Sequence, residues 1–362
     1  MSDRKQKIDK WVRRPIRELA AYHVPDASGF IKLDAMENPY TWPAEIVESW
    51  LTQLRTVSLN RYPDPAANDL KQLLIQTMHV PAGYDVLLGN GSDELIQMIL
   101  MAVSGADRAV LAPEPGFVMY KMIAGFLNMP YVGVALRDDF SLDRAAMLQA
   151  IAQHQPAVIF LAYPNNPTGN LFDDADINAI IAASDGLVVI DEAYHAFAGR
   201  TWMQRMPEYD NVVVMRTVSK MGLAGLRLGL LAGHPDWLRE FDKVRLPYNI
   251  NVLTQASAKF ALQHQAVLDA QTQQLTRDRE LLSNEMRQLK AVEVFPSQAN
   301  FILFRTAPGK ADAVFQTLKQ HKVLIKNLSH AGGLLRDCLR VTVGTPDENA
   351  AFLGALRSAI HS

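Results

Sequence analysis

The stretch 212–233, "VVVMRTVSKMGLAGLRLGLLAG", sets a single lysine, Lys220, between two near-continuous apolar runs, "VVVM" at 212–215 and "LGLLAG" at 228–233. Apolar runs that do not alternate with polar residues are expected of strands covered on both faces. Lys220 follows the polar "RTVS", which puts its amine near the carboxyl end of the first strand, with Arg227 seven positions further on. A partly desolvated lysine close to other cations loses its proton readily and can form a Schiff base with an aldehyde. Taken alone, Lys220 reads first as a surface or salt-bridged lysine, as most lysines are, and its surroundings must decide.

The same kind of run recurs as "RAVLA" at 108–112, "AVIFLA" at 157–162 and "LVVI" at 187–190, alternating with helical stretches. This is the pattern of an α/β protein built on a mostly parallel sheet. In such sheets ligands gather at the carboxyl ends of the strands, where several of these runs turn polar. In "GSDELIQMILMAV" (91–103), Leu95, Ile96, Ile99, Leu100 and Val103 recur at helical spacing, with Ser92 or Asp93 near the cap and Gly91 allowing a close turn. "FIKLDAMENPY" (30–40) reads as a strand and turn crossing between domains. Beyond about residue 255 a long helical stretch leads to "NFILFRT" and "CLRVTVGT", two strands of a smaller sheet. The expected division is 1–45, an amino-terminal segment contributing to the small domain and to a dimer contact; 46–255, a large domain; and 256–362, a small domain.

With 362 residues, 49% of them apolar, the chain can bury one large core and a smaller one. Lysine plus arginine total 36 against 38 for aspartate plus glutamate, a balance that makes no electrostatic case for nucleic acid or an acidic membrane. The single cysteine, Cys338, excludes an intrachain disulfide framework and a multi-cysteine metal site, and is expected to be a buried thiol. No metal site is expected. The start, "MSDRKQKIDKWVRRP", lacks the apolar stretch of a secretory signal, no segment is long enough to cross a bilayer, and the cytoplasm is the simplest address.

Asp191 follows the run "LVVI"; it either caps the next helix or faces a cationic heteroaromatic nitrogen, which a carboxylate would keep protonated. Tyr194, three positions on, shares that side as a core tyrosine or as a ligand, while His195 reads as a packing or surface residue. In "FLAYPNNPTGN" (160–170) Asn165 and Asn166 either close turns on the backbone or, for Asn166, donate an amide to a phenolate oxygen. Gly91, Ser92 and Asp93 of "GNGSDE" offer backbone donors at the positive end of a helix, a cradle for a phosphate. Ser219 and Arg227 add a hydroxyl and a charged fork to the same group. Each feature is common, and together they describe one ligand.

Seven motifs occur in order along nearly the whole chain: "LDAMENPY", "NRYPDP", "GNGSDE", "YPNNPTG", "DEAYHAF", "RTVSKMGLAGLRLG" and "LRVTVGTPDEN". In these the chain resembles the fold-type I pyridoxal-phosphate aminotransferases and, within them, the histidinol-phosphate aminotransferases. The resemblance implies an α/β fold, a large domain with a mostly parallel seven-stranded sheet flanked by helices plus a smaller α/β domain, in a homodimer. It implies pyridoxal 5′-phosphate as cofactor and a small amino donor and a 2-oxo acid as partners. Lys220 would bond the cofactor aldehyde and later carry the proton, Asp191 would pair with the pyridine nitrogen, and Asn166 and Tyr194 would bond the ring oxygen. Gly91, Ser92, Asp93, Thr217, Ser219 and Arg227 would surround the phosphate, joined by Tyr62 of "NRYPDP" from the neighbouring subunit. Phe117 would stack on the ring, where a hydroxyl is not needed. Arg340 would take the substrate carboxylate through its rigid fork, with Tyr22 and Asn249 near the pocket.

Two positions depart from the family pattern. Met36 stands where asparagine is frequent, so that this segment would shape its pocket by packing. Lys326 stands where an arginine commonly meets the substrate phosphate, giving a point charge in place of a fork. The implied reaction is amino transfer between L-histidinol phosphate and 2-oxoglutarate in histidine biosynthesis. An aromatic or broad-specificity aminotransferase, a lyase like threonine-phosphate decarboxylase, and a non-enzymatic module keeping the same shell are the alternatives.

Overall fold

The apolar runs become strands in the computed structural model, which describes residues 3–21, 24–105 and 107–360. In chain order the strands are β1 (Ile31–Lys32), β2 (Asp85–Gly89), β3 (Val110–Glu114), β4 (Tyr131–Ala135), β5 (Val158–Ala162), β6 (Leu187–Asp191) and β7 (Val212–Thr217). They continue with β8 (Gly229–Gly233), β9 (Val292–Val294), β10 (Phe301–Thr306), β11 (Val323–Leu324), β12 (Lys326–Asn327) and β13 (Cys338–Thr342). Seven of them form one sheet in the order β2-β8-β7-β6-β5-β3-β4. β8 runs antiparallel to β7 and β2, and the other neighbours pair in parallel.

Successive residues of β6 and β7 enter two different cores. Val188, Ile190 and Val214 pack on one face of the sheet, and Val189, Val213 and Met215 on the other. Alternation is absent from the sequence because both faces are covered by apolar side chains. The helix Ser92–Val103 buries Leu95, Ile96, Met98, Ile99 and Leu100 against the second of these faces, each contributing about 1.5–3 kcal/mol of apolar burial. Its cap is Gly91, at φ +80°, with no side chain bonded to the first turn. Ser92 and Asp93 thus follow the cap directly, and both of their side chains border a cavity.

A four-stranded antiparallel sheet, β12-β13-β10-β9, carries another core of Phe301, Ile302, Phe304, Leu339 and Val341. β1 joins this part of the molecule by pairing in parallel with β11, Ile31 opposite Val323. The helix Gln265–Arg287 links the two bodies: Leu268 sits in the first core, and Leu275, Leu282 and Met286 in that of the smaller sheet. Its 23 residues span about 35 Å. Cys338 is buried at the start of β13. The helix Asp3–Trp11 buries no residue, consistent with the poorly patterned start of the chain. Among the described residues no helix is long and apolar enough to cross a membrane.

Candidate active site

A cavity opens at the carboxyl ends of β5, β6 and β7. Ser92, Asp93, Phe117, Asn166, Asp191, Tyr194, Thr217, Ser219, Lys220 and Arg227 all border it, with Met36, Ala162, Pro164 and Ala193. With Met36, eleven side chains singled out from the sequence thus meet in one place, drawn from strand ends, helix starts and the turns between them.

Asp191 is the last residue of β6 and only 3% exposed. The Tyr120 hydroxyl donates to its Oδ2 at 2.6 Å and the Ala193 N–H to its Oδ1 at 3.1 Å. Burial pushes its carboxyl up to about 6, against which these two hydrogen bonds work. Lys220 Nζ donates to the Ala35 carbonyl at 3.2 Å and lies 5.9 Å from the Tyr194 ring centre. Burial first, then the Arg340 and Arg227 guanidinium groups, bring its amine down to about 8, while Glu37 and Asp93 act the other way. An amine so shifted is available as a nucleophile at mildly alkaline pH.

Asn166 links two of the other groups. Its Nδ2 donates to Tyr194 Oη at 3.1 Å, and its Oδ1 accepts from Arg340 Nη1 at 2.6 Å. Arg340, buried on β13, also donates Nη2 to the Asp34 carbonyl at 3.1 Å. The smaller sheet thereby delivers a guanidinium to the edge of the cavity. β12 pairs antiparallel with β13 so that Lys326 stands directly opposite Arg340, and cross-strand partners share a face.

At the other end, Thr217 donates its hydroxyl to the Leu228 carbonyl at 3.0 Å and receives the Ser219 N–H at 3.1 Å, holding the turn before Lys220. Arg227, at φ +49°, brings Nη2 to 3.7 Å from Asp93 Oδ2, a half-exposed pair stabilising by about 1 kcal/mol or less. A Cβ on Gly91 would lie 2.6 Å from Arg227 Nη2, and one on Gly229 would lie 2.7 Å from the Gly91 carbonyl carbon. Two glycines are thus what let the helix start, the guanidinium and β8 converge on a concave, cationic surface.

These observations fit the pyridoxal phosphate that the motifs imply. The Gly91–Arg227 cradle suits a phosphate, the Asn166–Tyr194 pair a ring oxygen, and a buried carboxylate a protonated ring nitrogen. Lys220 stands in the same cavity to meet an aldehyde. Among the described residues no group of three or more His, Cys, Asp or Glu side chains is arranged to hold a metal ion.

Other residues singled out from the sequence lie elsewhere. Tyr62 is 80% exposed and stacks on Tyr248 with centroids 4.4 Å apart, outside this cavity. Asn249 spends its amide on the Leu88 carbonyl at 3.0 Å and on Glu94 Oε2 at 2.9 Å, bracing the helix start from behind. Tyr22 lies outside the described residues. His195 points its Nδ1 to the Glu192 carbonyl at 3.2 Å, and burial, then Arg216, hold its imidazole well below the usual range. Sequence reading missed Tyr120 and the Ala35 carbonyl. The one available signal for Tyr120 was its place three residues after Phe117, at the opening of the same helix.

Residues 28–356 match the model of the family described as aminotransferase class I and II. Histidinol-phosphate aminotransferase 2 of Nitrosococcus oceani is 59% identical over 354 residues, covering 98% of each chain. Histidinol-phosphate aminotransferase 1 of Ralstonia nicotianae is 55% identical over 358 residues, covering 98% of this chain and 95% of its own. Among solved structures, the histidinol-phosphate aminotransferase of Sinorhizobium meliloti in complex with pyridoxal-5'-phosphate has the same fold, with a TM-score of 0.86 at 24% identity, covering 97% of this chain and 98% of that one. By the span of the family match and the identity of these relatives, the chain belongs to the aminotransferase class I and II family.

Proposed function

We propose that this aminotransferase uses pyridoxal 5′-phosphate to move the amino group between L-histidinol phosphate and 2-oxoglutarate, giving imidazole acetol phosphate and L-glutamate. The observation that carries the substrate assignment is that Arg340, bonded to Asn166 of the cavity wall, has Lys326 as its partner across β13 and β12. One substrate of this pair carries a phosphate and the other two carboxylates, and two neighbouring cations serve both. The relatives from Nitrosococcus oceani and Ralstonia nicotianae are named for histidinol phosphate.

When bound, the cofactor supplies an aldehyde carbon that accepts the amino group and a ring that draws off the electrons of the substrate Cα–H bond. Lys220, as a free amine, would take the proton from the substrate Cα and hold it for return. Its lowered proton affinity suits this exchange near neutral pH. Asp191 holds a proton on the ring nitrogen, and Phe117 covers a ring face. Gly91, Ser92, Asp93, Thr217, Ser219 and Arg227 orient the phosphate end. Arg340 offers its fork to a carboxylate or phosphate, and Asn166 keeps that fork aimed inward.

A homodimer in the cytoplasm completes the reading. Tyr62, Leu59, Leu246, Tyr248 and Leu253 are exposed, and a second copy seated on them would bring Tyr62 toward the neighbouring cofactor's phosphate.

The test follows the absorbance of the bound cofactor as it takes up the amino group, with L-histidinol phosphate, phenylalanine and threonine phosphate offered in turn. Preferential conversion by histidinol phosphate, reversed by 2-oxoglutarate, is the expected outcome. Equal conversion by phenylalanine, or release of carbon dioxide from threonine phosphate, would refute the assignment.

A further inference from the structure

Tyr120 lies in the helix Val118–Phe126 and is 1% exposed. Its ring stacks on Phe160 at 4.5 Å between centroids and 11° between planes, and meets Phe117 edge-on at 5.5 Å. Its hydroxyl donates to Asp191 Oδ2 at 2.6 Å, the short distance of a charge-assisted bond. Phe117 and Asp191 both border the cavity, whereas Tyr120 stands behind them. One buried side chain thus braces two walls of the site, and with Ala193 N–H on the other oxygen the Asp191 carboxylate cannot turn.

We propose that Tyr120 is a positioning residue that holds Asp191 as a hydrogen-bonded carboxylate, so that the proton shared with a bound pyridine ring stays on the ring nitrogen. The inference rests on the proposed use of pyridoxal phosphate. A hydroxyl donating to a carboxylate favours its ionised form. Where a carboxylate and a ring nitrogen share one proton, that bond leaves the nitrogen the stronger base of the two. A proton on the nitrogen makes the ring the deeper electron sink. Asp93 and Glu192 oppose ionisation of Asp191, and Tyr194 lies near it on the same wall. Tyr131 faces the Tyr120 hydroxyl, and Lys220 and Arg227 border the cavity in front. Tyr120 and Ala193 are the donors that touch the carboxylate itself.

Tyr120→Phe removes the hydroxyl and keeps the stacked ring. In cofactor-free protein labelled with carbon-13 at aspartate carboxyls, the Asp191 signal is the one missing from Asp191→Asn. Its titration midpoint is expected to move up by about one pH unit in Tyr120→Phe, a tenfold rise in proton affinity. With nitrogen-15 in the cofactor ring, the holoenzyme is expected to show a less protonated nitrogen in the variant than in the parent, by up to about tenfold in the ratio of the two forms. The kcat should fall more than KM rises. In an Asp191→Asn background, Tyr120→Phe should leave the nitrogen signal unchanged. An Asp191 midpoint that does not move, or a ring nitrogen equally protonated in parent and variant, overturns the inference while leaving the cofactor assignment intact. A parent chain that takes up no pyridoxal phosphate overturns both.

Discussion

Replacing Asp191 by asparagine should make the cofactor-free protein more stable while it removes function. The carboxyl is pushed from an ordinary 3.8 to about 6, chiefly by burial. Two units at about 1.4 kcal/mol each amount to about 3 kcal/mol spent in keeping the group ionised at neutral pH. The native state retains a proton that the unfolded chain has already released, so the group's contribution to stability is complete below pH 4 and is lost as pH rises through about 6. Asparagine has no charge to desolvate. Its carbonyl can accept the Ala193 N–H, and the Tyr120 hydroxyl can turn to accept from its amide. At about 2.1 cal/mol/K of unfolding entropy per residue, 362 residues convert 3 kcal/mol into about 4 °C of Tm. Calorimetry of parent and Asp191→Asn without cofactor, at pH 5 and pH 8, should show a gain of about half this size at pH 5 and the full gain at pH 8. Added pyridoxal phosphate should then raise the parent's Tm more than the variant's. A gain that does not depend on pH, or a loss at pH 8, would refute the reasoning.

Lys220 should react with a small aldehyde and borohydride in cofactor-free protein with a midpoint near pH 8, since its amine is brought down to about that value. Lys220→Ala should abolish both this labelling and the covalent uptake of cofactor; a midpoint near pH 10 would show the amine to be solvated. Arg340→Lys should keep cofactor absorbance but lower kcat/KM by about tenfold to a hundredfold, because the bond to Asn166 and the two-pronged grip on an anion go together. Unchanged steady-state kinetics would place the substrate anion elsewhere.

What could be read in advance depended on how local the cause was. "LVVI" and "VVVM" announced buried strands because each residue faces one apolar layer or the other, and Asp191 stood out directly after such a run, with Asn166 and Lys220 in the turns that follow two others. The short alternation of "FIKLDAMENPY" marked β1, whereas the two-residue strands β11 and β12 left no periodicity, since their form is set by partners far along the chain. The bond from Tyr120 to Asp191 spans 71 residues, that from Arg340 to Asn166 spans 174, and that from Lys220 to the Ala35 carbonyl spans 185. No spacing rule reaches so far. Asn249 is the converse case: a polar residue in a turn near the pocket, whose amide the fold spends on Leu88 and Glu94.

The Arg340–Asn166 bond has an evolutionary side. The residues that would handle the cofactor stand on the ends of the large sheet, whereas Arg340, Lys326 and Met36 come from the smaller body, and Arg340 reaches across to Asn166. A change in the stretches 34–40 or 323–342 would reach Lys220 as well, because its amine bonds the Ala35 carbonyl and lies in the field of Arg340. Asn166 marks the joint between the two bodies, the place where an acquired preference for a new amino donor must still fit an old machine.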